Sequence, residues 1–301
     1  DGATLGLCTA LAALVQPGDD VLLPDPIYDA YASPIALWGG RPVGVPTTIR
    51  DRRFTFDRAG LEGQYTQSAR VVLLNTPWNP VGTVLTRPEL QDLMDFAEGH
   101  DLFVVSDEIY ETLVYDGRLH LSPAALSEEA RGRTLLVNSL SKTYAMTGWR
   151  VATARPGRGH RGDAPGVAAV QPGSATFLQD AAACALRSDQ GCVRRMAEEY
   201  QARRDLVLGR LRHPRRRAPA AGGRVVRDGG RAAARTALGR GPSVAAARGG
   251  SRRPARGGLW TGRRGTLRVS FAAGGEPLER GWIGCATGCS ASAERPRKGT
   301  A

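Results

Sequence analysis

Lys142 has the clearest chemical potential in this sequence. It is one of two lysines in a chain of 301 residues, and arginine supplies the other 39 basic residues. An arginine side chain stays protonated, whereas a lysine amine can lose its proton, attack a carbonyl carbon and form a Schiff base. Two hydroxyl side chains, Ser139 and Ser141, precede Lys142, and Arg150 follows it eight residues later. The spacing predicts a nucleophilic amine beside a site for an anionic cofactor.

Two other polar motifs follow apolar runs that read as buried strands. The first, NTPWNPVG at 75–82, comes after the run at 71–74, and the second, SDEIY at 106–110, comes after the run at 102–105. In open α/β sheets, ligands bind at the edge where the carboxyl ends of the parallel strands meet. Together with the segment around Lys142, these motifs predict one ligand site built from three separate parts of the chain.

Helical and strand patterns alternate over residues 1–154, which predicts an α/β domain with a largely parallel sheet. Continuous apolar runs are expected for strands that are covered on both faces. The predicted strands are 21–23, 41–45, 71–74, 102–105, 134–137 and 150–154. The predicted helices are 4–15, 86–100, 176–187 and 192–211, and a further alternating strand is predicted at 266–272. Two of these helices, at 86–100 and 176–187, open on capping-box patterns that begin at Thr86 and Thr176.

In this order, the three motifs resemble those of the class I/II aminotransferases, which belong to the fold-type I pyridoxal-phosphate enzymes. The resemblance covers roughly 1–154, 174–211 and 266–280. It implies a fold-type I large domain with a mostly parallel sheet between helices, and an incomplete small domain in what we take to be a fragment. It also implies an aminotransferase that moves an amino group between an L-amino acid and a 2-oxo acid. Pyridoxal 5'-phosphate would be the cofactor, held as a Schiff base on Lys142.

The resemblance also implies roles for the residues around the cofactor ring. Asp107 would pair with the pyridine nitrogen, and Asn79 and Tyr110 would hydrogen-bond the 3-hydroxyl; Lys142, Asp107 and Tyr110 form the predicted catalytic set. Tyr28 would stack on the ring. Each of these residues also has a structural interpretation. Asp107 could cap a helix, Asn79 could be a turn residue before proline, and Tyr28 with Tyr31 could be core residues.

The remaining implied contacts are to the phosphate and to the substrate. Ser139 and Arg150 match the phosphate-binding positions, as a hydroxyl donor and a bidentate cation. Backbone amides at Ala3 and Thr4, in the first turn of the first helix, would add donors to the same anion. Arg268 resembles the arginine that binds the substrate α-carboxylate.

Residues 212–265 interrupt the resemblance. This window contains 15 arginines and a single acid, Asp228, and 42 of its 54 residues are Arg, Gly, Ala or Pro. Because it has few bulky apolar residues, it cannot bury a core. We therefore predict a cofactor-binding large domain at 1–211, including a connecting helix at about 192–211, and a largely disordered remnant of the small domain at 212–301. Segments 155–172, 212–265 and 281–301 are either off-frame translation of a GC-rich gene or natural basic sequence, and both interpretations stay open.

Charge and composition limit the partners. The net charge of +12 arises in the arginine-rich window, where aromatic residues are almost absent, so we expect no nucleic-acid partner. The sequence has no apolar stretch of membrane-spanning length and no signal sequence at its start, which predicts a cytoplasmic protein without a membrane partner. Five cysteines at unrelated spacings predict reduced thiols and no metal site. The resemblance implies a homodimer that acts on small amino and 2-oxo acids.

Two other functions use the same motifs. A pyridoxal-phosphate-dependent lyase or synthase shares all three of them, and so does a non-catalytic regulator domain that binds the cofactor. Formation of 2-oxo acid without an amino acceptor would indicate a lyase. The sequence leaves these alternatives open.

Overall fold

A six-stranded sheet forms the centre of the computed structural model, which describes residues 1–51, 53–155, 157, 174–211, 235–238, 266–269 and 271. The strand order is β2-β1-β5-β6-β7-β8. Neighbouring strands are parallel, except that β8 runs antiparallel to β7. These strands are β1 (Asp20–Pro24), β2 (Arg41–Val45), β5 (Ala69–Asn75), β6 (Phe103–Asp107), β7 (Thr134–Ser139) and β8 (Ala152–Arg155). The predicted α/β class with a mostly parallel sheet is confirmed.

Two small sheets accompany the central one. Strands β3 (Thr48–Arg50) and β4 (Arg53–Thr55) form an antiparallel hairpin that the sequence did not predict, because three-residue strands are too short to show a period. Strands β9 (Arg235–Leu238) and β10 (Thr266–Val269) pair in parallel. The predicted strand at 266–272 is therefore present at Thr266–Val269, and residues 270 and 272 lie outside the described part of the chain. β9 lies inside the segment 212–301, which the sequence predicts to be largely disordered.

Helices cover both faces of the central sheet. The α-helices of the described residues are α1 (Ala3–Leu14), α2 (Ala32–Leu37), α3 (Arg58–Glu62), α4 (Arg87–Gly99), α5 (Glu128–Arg133), α6 (Leu140–Thr143), α7 (Thr176–Arg187) and α8 (Gly191–Leu211), and α4 and α1 lie on opposite faces of the sheet. Single 3₁₀ turns lie at Asp29–Tyr31, Pro123–Ala125 and Thr147–Trp149. No helix in the described part of the chain has both the length and the apolar character needed to cross a membrane.

The start of α4 follows its sequence signal, whereas the start of α7 does not. At α4, the backbone N–H of Thr86 donates to the Glu89 carboxylate over 2.8 Å, as a capping box requires. At α7, Thr176 is the first helical residue and Ala175 is the N-cap. The predicted cap at Thr176 is wrong, because the Gln179 side chain donates to the carbonyl of Ser174 instead of reaching back to Thr176.

The core has two layers because successive strand residues point to opposite faces of the sheet. Leu22, Val72 and Val104 face one side, where α4 contributes Leu90, Leu93 and Phe96. Val21, Val71 and Val105 face the other side, where α1 contributes Leu7, Leu11 and Leu14. Each buried side chain of this size stabilises the fold by about 1.5–3 kcal/mol.

The strand register places the polar motifs at one edge of the sheet. Asn75 pairs with Asp107 at the carboxyl ends of β5 and β6, and Asp107 pairs with Val137 near the end of β7. The segment that carries Lys142 begins directly after β7. The three polar motifs therefore lie side by side at the carboxyl ends of β5, β6 and β7.

Candidate active site

Lys142 lies on the short helix α6, immediately after strand β7. Ser139 caps this helix, since its hydroxyl accepts the backbone N–H of Ser141 over 3.1 Å. The Lys142 side chain is half-buried and forms no hydrogen bond or ion pair with another described residue. Burial and, secondarily, the Arg150 charge lower the pKa of Lys142 below its ordinary value. The structure therefore provides the free, partly desolvated amine that a carbonyl nucleophile requires.

Arg150 lies against the N-terminus of α1. Its Nη2 is 3.4 Å from the carbonyl oxygen of Asp1, and its Nη1 donates to the carbonyl of Thr147 over 3.0 Å. A Cβ atom on Gly2 would lie 2.1 Å from Nη2, so the guanidinium packs where any other residue would carry a side chain. Gly2 also has φ +81°, a conformation that glycine adopts without strain.

The first turn of α1 adds donors beside this guanidinium. The amides of Leu5 and Gly6 donate to the carbonyl of Gly2, whereas those of Ala3 and Thr4 donate to no acceptor in the described part of the chain. Free amides at a helix N-terminus, next to an arginine, form an anion-binding site. Arg150, Ala3 and Thr4 are thus brought together as predicted, although their binding to a phosphate remains a prediction.

Ser139 is buried at the end of β7, and its proton is already engaged. Its hydroxyl donates to the carbonyl of Val151 over 2.7 Å and lies 2.9 Å from the hydroxyl of Ser141. Donation from Ser139 to a phosphate would therefore require this hydroxyl to rotate. The neighbouring hydroxyl belongs to Ser141, the second hydroxyl side chain that precedes Lys142 in the sequence.

Asp107 ends strand β6 and is 2% exposed. Its Oδ2 accepts a hydrogen bond of 2.7 Å from the hydroxyl of Tyr31, and its Oδ1 accepts one of 3.3 Å from the backbone N–H of Ile109. Burial raises the pKa of Asp107 to about 6, although the bond from Tyr31 opposes this rise. Asp107 is not a helix cap in this structure. Tyr31 could not be predicted as the partner of Asp107, because no local sequence pattern joins residues 76 positions apart.

The loop after β5 holds Asn79 beside the same strand end. The side chain of Asn75 donates to the carbonyl of Asp107 over 2.9 Å and accepts the backbone N–H of Asn79 over 2.6 Å. The turn then closes with a bond from the N–H of Gly82 to the carbonyl of Trp78. Asn79 is therefore a turn residue and also a buried one, and its Oδ1 has no hydrogen-bond partner among the described residues.

A cavity of about 130 Å³ opens beside Asn79 and Tyr110. Tyr110 is buried after β6, at 6% exposure. The cavity wall is mostly apolar and includes Pro77, Trp78, Val81, Leu113, Val114 and Phe271. Because Phe271 stands three residues after Arg268, the segment that carries Arg268 reaches this cavity. The backbone of Arg268 lies in β10, but its side chain is outside the described residues, so its predicted substrate contact stays a prediction.

Tyr28 and Tyr31, which follow strand β1, occupy different environments. Tyr28 is 40% exposed, whereas Tyr31 is 4% exposed and belongs to the core. Their ring centroids are 5.5 Å apart and the ring planes are nearly perpendicular, at 86°. The core interpretation thus holds for Tyr31 only. Tyr28 keeps a free ring surface, as a stacking residue needs, and its predicted role remains open.

A second buried carboxylate, Glu108, follows Asp107 directly. It accepts hydrogen bonds from Ser106 and Ser122, and His120 Nε2 lies 2.7 Å from its other oxygen. These contacts satisfy a charge that would otherwise be costly to bury. His120 was assigned no role from the sequence. It lies twelve residues from Glu108, and no local pattern at that separation indicates a contact between the two side chains.

Comparison with known proteins places this geometry in a family. The family model described as aminotransferase class I and II matches residues 1–275. An aspartate aminotransferase from Pyrococcus abyssi is 38% identical over 222 residues, covering 70% of this chain and 54% of the relative. An aromatic-amino-acid aminotransferase from Thermococcus litoralis is 39% identical over 217 residues, with the same coverage. The chain spans about half the length of the curated relatives that it matches.

Solved structures agree with these sequence matches. The N-succinyldiaminopimelate aminotransferase from Mycobacterium tuberculosis has a TM-score of 0.62 and 33% identity, covering 70% of this chain and 55% of the other. An aromatic aminotransferase from Pyrococcus horikoshii has a TM-score of 0.67 and 35% identity, covering 74% and 60%. Both comparisons agree with the fold-type I large domain predicted from the sequence. Members of the matched family generally depend on pyridoxal phosphate. The sequence, the sheet topology and the arrangement around Lys142 together establish that this chain belongs to the class I and II aminotransferases.

Proposed function

We propose that this chain carries the cofactor centre of an aminotransferase that transfers an amino group between an L-amino acid and a 2-oxo acid. The observation that carries the proposal is the half-buried amine of Lys142, which has no partner among the described residues and a lowered pKa. Lys142 follows the end of β7, Arg150 lies at the anion site near the start of α1, and the buried carboxylate of Asp107 ends the neighbouring strand β6. In this proposal, pyridoxal phosphate is held covalently on Lys142 Nζ as a Schiff base.

The residues present fit this cofactor at three points. The guanidinium of Arg150 and the free amides of Ala3 and Thr4 suit a phosphate, and a side chain on Gly2 would fill that space. The Asn79 carboxamide, whose Oδ1 has no partner among the described residues and whose orientation can be reversed, suits a hydroxyl group. Asp107 offers a carboxylate oxygen to a protonated ring nitrogen. Three sites of different chemistry match three different groups of one molecule.

When bound, pyridoxal phosphate supplies an electron sink that stabilises negative charge at the substrate Cα. The protein supplies the proton transfers and the orientation. With the cofactor bound, Lys142 Nζ would accept the proton from the substrate Cα and deliver it to the carbon of the cofactor aldehyde. This exchange requires an amine that is neutral part of the time, which the lowered pKa favours. Asp107 would keep the ring nitrogen protonated, and Asn79 and Tyr110 would hydrogen-bond the 3-hydroxyl.

We further propose that the substrate enters from the side of the apolar cavity next to Asn79 and Tyr110, where Arg268 would bind its α-carboxylate. Tyr28 would cover one face of the ring, and Ser139 would complete the phosphate site after its hydroxyl rotates. The full protein would act as a homodimer in the cytoplasm. The boundary at residue 211 between the large domain and the remnant of the small domain belongs to the same proposal.

Absorbance spectroscopy tests the cofactor part of this proposal. The full chain is mixed with pyridoxal phosphate and compared with Lys142→Ala and with the matched control Lys298→Ala, which removes the other lysine. The unsubstituted chain and the control should show the visible band of a protein-bound Schiff base, and Lys142→Ala should not. An equal band in Lys142→Ala would overturn the assignment.

The reaction class needs a second assay. An aminotransferase forms 2-oxo acid from an amino acid only while an amino acceptor is present to regenerate the cofactor. Sustained 2-oxo acid formation without an acceptor would indicate the lyase alternative. A chain that gives the Schiff-base band but turns over no amino acid under either condition would instead fit the non-catalytic regulator.

A further inference from the structure

A buried hydrogen bond joins Tyr31 to the carboxylate that we assign to the cofactor ring. The Tyr31 hydroxyl donates to Asp107 Oδ2 over 2.7 Å, and both side chains are at least 96% buried. The two residues come from different parts of the chain: Tyr31 ends the 3₁₀ turn Asp29–Tyr31, and Asp107 ends β6. A bond to a charged acceptor that is sheltered from water is stronger than one at the surface.

The second carboxylate oxygen of Asp107 is less committed. Oδ1 accepts the longer bond of 3.3 Å from the backbone N–H of Ile109, and this bond leaves acceptor capacity on that atom. Tyr31 is held in place from its own side, because it packs in the core with Ile27 and Ile35 and meets the Tyr28 ring edge-on. Because the Tyr31 hydroxyl is fixed and donates to Oδ2, it determines the orientation of the Asp107 carboxyl group.

We propose that Tyr31 is a positioning residue, which fixes Asp107 through Oδ2 and keeps the carboxylate ionised so that Oδ1 remains available to a protonated ring nitrogen. The part of this inference that concerns the ring nitrogen rests on the proposed function. The part that concerns Asp107 itself does not, because it describes a bond within the ligand-free protein.

The charged groups around Asp107 show why this donor matters. Burial and the neighbouring charge of Glu108 both favour the neutral carboxyl, whereas the bonds from Tyr31 and Ile109 favour the ionised form. The Glu108 carboxylate is bound by Ser106, Ser122 and His120. Tyr28 and Tyr110, the other titratable groups facing this pair, are phenols. Tyr31 is therefore the principal side chain that stabilises the charge on Asp107.

The decisive experiment is a titration of Asp107 in the ligand-free full chain, followed by NMR of ¹³C-labelled aspartate carboxyl groups. Tyr31→Phe should raise the midpoint of Asp107 by about one pH unit, because it removes a hydrogen bond to a charged group. The matched control is Tyr65→Phe, which removes a phenol hydroxyl next to Phe96 and His100, away from this edge of the sheet. An unchanged midpoint in Tyr31→Phe would overturn the inference.

A measurement on the unsubstituted protein keeps the inference testable if Tyr31→Phe does not fold. With tyrosine labelled at Cζ, one resonance should shift at the same midpoint as the Asp107 carboxyl, since the phenol senses the proton on its acceptor. If no tyrosine resonance follows Asp107, the bond does not act as proposed.

Cofactor affinity then tests the functional part. A one-unit rise in the midpoint reduces the ionised fraction of Asp107 about fivefold near pH 6 and little above pH 8. Tyr31→Phe should therefore bind pyridoxal phosphate about fivefold more weakly near pH 6 and almost normally above pH 8. Equal affinity at both pH values would contradict the link between Tyr31 and the cofactor. If the unsubstituted chain binds no pyridoxal phosphate at all, the proposed function fails, and the ligand-free titration still decides the effect of Tyr31 on Asp107.

Discussion

Replacing Asp107 with asparagine should stabilise the ligand-free protein while it removes activity. Burial raises the pKa of Asp107 from its ordinary value of 3.8 to about 6, so the fold favours the neutral carboxyl. Since each pKa unit corresponds to about 1.4 kcal/mol, the ionised form destabilises the fold by about 3 kcal/mol at neutral pH. Asparagine is neutral at every pH and still accepts the bond from Tyr31, so it avoids this cost.

The direction of the pKa shift of Asp107 determines the pH range over which the stability difference changes. Because the pKa of Asp107 is higher in the folded state than in the unfolded state, its favourable contribution is complete below about pH 3.8 and is lost as the pH rises to about 6. The gain in stability of Asp107→Asn over the unsubstituted chain should therefore grow with pH and level off above 6. About 2 kcal/mol of this gain should develop between about pH 4.5 and about pH 8.

Urea unfolding of the ligand-free chain, repeated across this pH range, measures the gain. Asp20, Glu62, Glu89 and Asp116 have lowered pKa values and also alter stability in acid, but they cancel in the difference between variant and parent. The control Asp92→Asn removes an exposed acid from α4 and should show no such trend. A difference between Asp107→Asn and its parent that stays constant with pH, or a variant less stable near pH 8, would refute the reasoning.

Two other substitutions test the phosphate site and the core. Gly2→Ala would place its Cβ about 2.1 Å from Arg150 Nη2 and would force a residue with φ +81° into a strained conformation, at a cost of about 1–2 kcal/mol. It should weaken binding of pyridoxal phosphate several-fold more than binding of pyridoxal, measured by fluorescence titration, and equal losses for the two ligands would contradict an anion site there. Phe96→Ala empties a fully buried position and should reduce the free energy of unfolding by about 3–5 kcal/mol; a loss below about 1 kcal/mol would contradict the core assignment.

The sheet was predictable because its strands carry strong local signals. The segments around Val71 and Val104 are short continuous apolar runs with turn residues after them, which is typical of parallel strands covered on both faces. The polar motifs that follow these runs therefore fell at one edge, as predicted. The hairpin β3–β4 was missed because strands of three residues depend on contacts with the rest of the fold.

Candidate site residues could be selected from the sequence where they belong to motifs of neighbouring residues, as Lys142, Arg150 and Asp107 do. Tyr31 could not be assigned to Asp107 from the sequence, since their contact depends on how the segment after β1 crosses the end of β6. The hydrogen bond from the Ser139 hydroxyl to the carbonyl of Val151 could not be predicted from the sequence either, because it depends on the antiparallel pairing of β8 with β7.

The most direct test of the central claim is to identify the lysine that holds the cofactor. The full chain is incubated with pyridoxal phosphate, reduced with borohydride so that the carbon–nitrogen link becomes permanent, digested and mapped by mass spectrometry. With two lysines in the sequence, the result is unambiguous. Our account predicts a stoichiometric adduct on the peptide that contains Lys142 and none on the peptide that contains Lys298. Labelling of both lysines to a similar extent, or of neither, would contradict it.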